Sequence, residues 1–94
     1  MELRLSSDSD FLKIWKNGFL GQKGLFIPGE KYFPLGQEFT ITISIENKTL
    51  GNALVKPVWC NLSGPVNPDL PRGTFLKIIR AEKNLQLKIN NVCS

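Results

Sequence analysis

Between residues 38 and 46 apolar and polar side chains alternate without a break, with Phe39, Ile41, Ile43 and Ile45 set against Thr40, Thr42 and Ser44. A period of two sends one set to a core and the other to solvent, and the β-branched residues suit a pleated strand. Just upstream, the short apolar run Leu25-Phe26-Ile27 ends at Pro28-Gly29, and a second turn signal, Pro34-Leu35-Gly36, leads into the alternating stretch. Residues 23–27 and 38–46 are therefore predicted strands, and the rest of the chain is read as pairing with them or packing on them. Asn47-Lys48-Thr49 predicts a tight turn, and residues 52–60 a strand that returns antiparallel to 38–46. Pro57 inside this strand cannot donate to a ladder, so it marks an edge, a bulge or a barrel corner. Residues 74–79 predict a further strand, and Leu3 and Leu5 alternating with Glu2 and Arg4 predict a short first one.

The connections are less regular. Ser7-Asp8-Ser9-Asp10 offers side chains that accept from free backbone N–H groups at a helix start. Phe11 to Lys16 then predicts one to two helical turns, stopped by Asn17-Gly18, with an irregular crossing loop as the alternative. In the helical reading Phe11 and Trp15 share a face. Residues 61–73 hold three prolines and two glycines and predict a loop long enough for mobility or function. In the last segment Ala81, Leu85, Ile89 and Val92 have helical spacing while Leu85, Leu87 and Ile89 alternate; a short C-terminal helix is favoured. The fold class expected is all-β in the main: a small five- to six-stranded antiparallel β-barrel with a short C-terminal helix. Closure would remove edges prone to aggregation.

Composition narrows the function. Ninety-four residues, 41% apolar and 21% charged, make one ordinary globular domain spanning 1–94. No apolar run approaches the length of a membrane span, and the start, MELRLSSDSD, lacks the basic end and apolar stretch of a signal peptide, so a cytoplasmic protein is expected. Cys60 and Cys93 are then expected as reduced thiols. There is no histidine, and no nucleophile–base pair, paired carboxylate motif, phosphate loop or metal set. The chain is read as a non-enzyme without cofactor or metal. Its net charge is +4, with Lys13, Lys16 and Lys23 in a run free of acid from 11 to 29, and Lys77, Arg80, Lys83 and Lys88 in a second basic region. Such a balance is compatible with an anionic ligand or an acidic partner, with a plain solvated face that aids solubility the favoured reading. A nucleic-acid-binding barrel would use Trp15, Tyr32 and Trp59 as stacking platforms. Those aromatics are scattered among predicted core positions and the charge excess is modest, so no nucleic-acid partner is expected.

Gly24-Leu25-Phe26-Ile27, Pro34-Leu35-Gly36, Val58-Trp59 and Gly73 follow one another in the order and spacing of a PilZ domain, which residues 19–79 resemble. The chain is most similar to the short, stand-alone type IV pilus members of that bacterial family, which share the approach Lys31-Tyr32 to Leu35-Gly36. The resemblance implies a small β-barrel and a role in cyclic di-GMP signalling or pilus-driven motility.

Three departures bear on the ligand. Family members that bind cyclic di-GMP carry an Arg-x-x-x-Arg pair, whose guanidinium forks grip phosphates and stack on guanine. Here Arg4 is the only arginine before Arg72, and lysine, a point charge, does not replace the fork. In the second motif, Asp/Asn-x-Ser-x-x-Gly, Phe19 takes the acidic position and Gly21 the serine position, and only Gly24 remains. Phe75 also stands where a second glycine is usual after Gly73, either filling a ligand groove or adding to the core. The expected function is an adaptor that acts by protein–protein contacts without binding cyclic di-GMP. The partners implied by the resemblance are the pilus-extension ATPase and a degenerate cyclic di-GMP signalling protein. The candidate partner-binding residues are Phe11, Lys13, Trp15 and Lys16, aromatic anchors among charges. The alternative is a receptor for cyclic di-GMP or another anion using Lys13, Lys16, Lys23, Gly24 and Arg72.

Overall fold

The computed structural model describes residues 1–19, 21–29, 32–62 and 72–93, apart from the side chains of 92 and 93. Most of the 61–73 loop and the Cys93 thiol therefore lie outside the described residues, while Cys60 is a free, half-buried thiol. The chain runs β1 (Glu2–Leu5), α1 (Asp8–Ile14), β2 (Trp15–Phe19), β3 (Gln22–Pro28), β4 (Phe39–Ile45), β5 (Lys48–Asn61), β6 (Gly73–Ala81) and α2 (Lys83–Cys93). The strands form one mixed sheet in the order β1-β4-β5-β6-β3-β2. The all-β class is as expected. The sheet is not wholly antiparallel, however, because β1 runs parallel to β4, with Leu3 beside Ile43 and Leu5 beside Ile45. Among the described residues no ladder joins β1 to β2, which stand at the two ends of the strand order.

Strand β4 buries the face its alternation picks out. Ile41, Ile43 and Ile45 are buried and Phe39 packs against the same core. Ser44, on the other face, is buried as well, next to a bulge where Ile43 faces Gly51 and Ser44 faces Thr49. The hairpin turn is one position earlier than expected. Ile45 pairs with Lys48, leaving Glu46 (φ 53°) and Asn47 (φ 67°) as the central pair of a two-residue turn with both φ positive, the I′ geometry that matches strand twist.

Strand β5 is long because it serves β4 with its first half and β6 with its second. Pro57 lies beyond the end of the β4 ladder, and the register with β6 shifts between Pro57 and Trp59. In a strand the N–H and C=O of one residue point the same way. The Pro57 carbonyl accepts from Gly36 N–H at 2.8 Å, so its missing N–H faces the 34–37 turn, where β4 no longer needs a donor.

Both helices are short and held by tertiary contacts. Ser7 caps α1, accepting from Asp10 N–H at 3.3 Å, while the Asp10 carboxylate accepts from Ser6 N–H. The helix ends at Ile14, earlier than Asn17-Gly18. Trp15 turns extended (φ −72°, ψ 128°) and pairs with Leu25 at the start of β2. A helix of two turns has little stability of its own, so the ladder with β3 wins. In α2, Leu85 is fully buried and Ile89 packs on the core while Leu87 is exposed, which is helical spacing and not alternation. The Lys88 ammonium lies 3.0 Å from the Asp8 carboxylate and ties α2 to α1.

The core joins Phe11, Leu25, Phe33, Ile41, Ile43, Val55, Leu76 and Leu85 on the helix side of the sheet. On the opposite face Phe26 pairs with Phe75, and Phe19 sits against Phe75 at 4.6 Å, Trp59 at 5.3 Å and Phe26 at 6.0 Å. Two apolar layers thus sandwich the centre of the sheet.

Candidate docking groove

Strand β3 pairs with β6 only as far as Lys77, whose partner is Gly24. Residues 78–81 of β6 continue along β5 but have no strand on their other side among the described residues. A groove of about 400 Å³ opens there, between that bare edge, the β2–β3 hairpin and α2. Trp15 and Asn17 come from β2, Lys23 from β3, and Gln86, Ile89 and Asn90 from one face of α2. Ile79 is left out of the β5–β6 register, lines the groove and is 40% exposed. The polar lining is two cations, Lys23 and Arg80, and three carboxamides; no Asp or Glu lines it among the described residues. Such a lining offers donors and positive charge to an anionic group and apolar contact to a side chain beside it.

The residues expected to bind a partner are only partly assembled here. Trp15 lines the groove, half-buried, but it stacks on Phe11 (centroids 6.1 Å apart, planes 15° apart) and packs against the core. Phe11 is wholly buried and presents no surface to a partner, because the first turn of α1 folds it under the sheet. Lys13 is exposed on α1, 3.9 Å from Asp10. Lys16 lies opposite Gly24 in the ladder, so it projects from the face away from Trp15.

The ligand set divides as well. Lys23 lies near the start of β3, whereas Arg72 sits beside Gly29 at its far end, its carbonyl accepting from Gly29 N–H at 3.3 Å. Six residues of strand separate the two ends, roughly 20 Å. Lys16 and Gly24 do meet, and the ladders continue them to Lys77 and Lys56, giving three lysines in one row across the outer face. None of the three forms an ion pair among the described residues. Gly24 itself is structural. A Cβ there would run into the Leu76 carbonyl and the Phe75 ring, so only glycine lets β3 and β6 approach as they do. Phe75, fully buried, both fills the core of the aromatic layer and occupies the space above Gly24.

Arg80, Asn17, Gln86 and Asn90 were not singled out as a site from sequence. Arg80 stood out only as part of a basic region, and the carboxamides carry no signal until α2 is placed over β6. No family model and no curated protein matches the chain.

Proposed function

We propose that the chain is a non-enzymatic, PilZ-like adaptor that works in the cytoplasm through protein–protein contacts in type IV pilus biogenesis or motility, without holding cyclic di-GMP itself. Its partners in this reading are the pilus-extension ATPase and a degenerate cyclic di-GMP signalling protein. The observation that carries the proposal is the packing of Phe19 against Phe75, with Trp59 and Phe26 around them. Phe19 replaces the side chain with which the resembled motif would hydrogen-bond a guanine, and it is spent on an apolar layer. An adaptor needs accessible recognition surface instead, and the basic groove beside Trp15 is such a surface.

The lysine row Lys16, Lys77 and Lys56 favours one second reading, an anion receptor that uses lysine charge in place of arginine forks. Two measurements on the intact protein decide. The adaptor reading expects saturable binding to the pilus-extension ATPase, and no binding of cyclic di-GMP tighter than about millimolar, or about −4 kcal/mol. Micromolar, saturable cyclic di-GMP binding that falls when Lys16 and Lys77 become Ala would put the receptor first. Absence of any ATPase binding would remove the adaptor assignment.

A further inference from the structure

A bare strand edge is rare without a device to blunt it, because its free N–H and C=O groups template pairing with another chain. Among the described residues, residues 78–81 of β6 are such an edge, and it lies within the sheet at the end of β3 and not at the margin. The β2–β3 hairpin walls one side and α2 the other, so a folded sheet cannot reach it but a single extended chain can. Four residues of strand span roughly 13 Å, room for a few residues of an added strand. The side-chain environment selects among such chains. Lys23 and Arg80 stand exposed in the groove with no acid among its described lining, Asn17, Gln86 and Asn90 add donors, and the Ile79 side chain and Trp15 ring supply apolar contacts.

We infer that the groove receives a short, extended, acidic segment of a partner protein, added as a strand to residues 78–81. Its backbone pairs with the bare edge of β6. Its carboxylates meet Arg80, which the register sets beside Leu54, and alternate apolar residues rest on Trp15, on whose face Lys23 also lies. Backbone pairing supplies affinity without sequence preference, and Arg80 and the indole supply the preference for alternating acidic and apolar residues. This inference rests on the adaptor reading and names its docking mode.

The test uses the whole chain, labelled with ¹⁵N, titrated with the capped peptide Val-Glu-Val-Glu-Val-Glu. Control peptides replace every Glu by Lys, or the second and third Val by Pro, which cannot donate to a ladder. The amides of residues 78–81 and of Lys23 are expected to shift, and those of 78–81 that point away from β5 to gain hydrogen-exchange protection, with the acidic peptide and with neither control. Lys23→Glu and Arg80→Glu, both at exposed positions, are expected to keep the thermal midpoint and weaken the peptide at least about tenfold. Shifts confined to Lys16, Lys56 and Lys77, equal binding of the lysine or proline peptide, or no shift at 78–81 would overturn the inference. The same two variants are then assayed with the pilus-extension ATPase. Binding that survives both charge reversals leaves the adaptor standing and removes the groove. An ATPase that never binds, with the peptide behaving as expected, removes the adaptor assignment and leaves the groove as a peptide-binding site.

Discussion

At the scale of single residues, two buried positions set opposite expectations. Gly24 in mid-strand forgoes about 0.5–1 kcal/mol that alanine would gain from its smaller loss of chain entropy. Against that, a methyl at Gly24 meets the Leu76 carbonyl, which is backbone and cannot swing aside, and the Phe75 ring. Overpacking of this kind costs about 1–3 kcal/mol, and contact with backbone belongs at the upper end, so the steric term wins. Gly24→Ala is expected to lose about 2 kcal/mol in urea unfolding; unchanged or raised stability would mean that β3 and β6 lie further apart than they do here. Thr74 runs the other way. Its hydroxyl is buried and has no hydrogen-bond partner among the described residues. An unpaired buried hydroxyl costs about 1–3 kcal/mol of desolvation. Thr74→Val, which keeps the shape, is expected to gain about 1 kcal/mol and raise the thermal midpoint by about 4–8 °C. A lower midpoint would show that the hydroxyl has a partner after all.

At the scale of elements, the β4–β5 hairpin carries a correctable flaw. Glu46 holds a positive φ, a conformation that costs a residue with a Cβ about 1–2 kcal/mol, whereas Asn and Gly accept it. The double change Glu46→Asn and Asn47→Gly is expected to stabilise the domain by about 0.5–1 kcal/mol, read from the denaturation midpoint. A loss would mean that the Glu46 side chain does something in the turn that its backbone does not show. The elements also differ in how openly the sequence declared them. Strand β4 was legible because three isoleucines alternating with hydroxyls admit only one buried face. The helix α2 was legible once Leu85 and Ile89 were weighed against Leu87, since only the helical spacing hides two and exposes one. Strand β2 was not, because Trp15-Lys16-Asn17-Gly18-Phe19 has no apolar alternation; it is a strand only because β3 is there to pair with it. The parallel sense of β1 was equally hidden, as alternation gives a face and says nothing of direction. For the site, Trp15 and Lys23 were visible as an aromatic and a charge. That they share a groove with Arg80 depends on where β3 stops pairing, a property of the register that no single residue carries.

At the scale of the whole molecule, the parallel pairing of β1 with β4 orders events in time. Within the chain β1 is made before β4, its ladder partner among the described residues. Its partners, Thr42 to Ile45, are made some forty residues later, and β4 must itself settle beside β5. The hairpin of β4 and β5 closes through a two-residue turn, so its contacts form at small loop entropy, while β1 must close the long way round. The first strand is therefore expected to dock last, on a surface the later strands have already built. Leu5→Ala should then speed unfolding and leave the refolding rate nearly unchanged, whereas Val55→Ala, in the β4–β5 hairpin, should slow refolding. Equal slowing by both would place β1 in the nucleus. If β1 docks last it also leaves first. The earliest opening of the native protein would then lift Leu3 and Leu5 from the sheet and bare the outer edge of β4, at a cost well below that of global unfolding. That edge is the place from which a second copy could lend its own first strand, so a high-concentration sample is where exchanged dimers would accumulate, and shortening the hinge at Ser6 would raise their share.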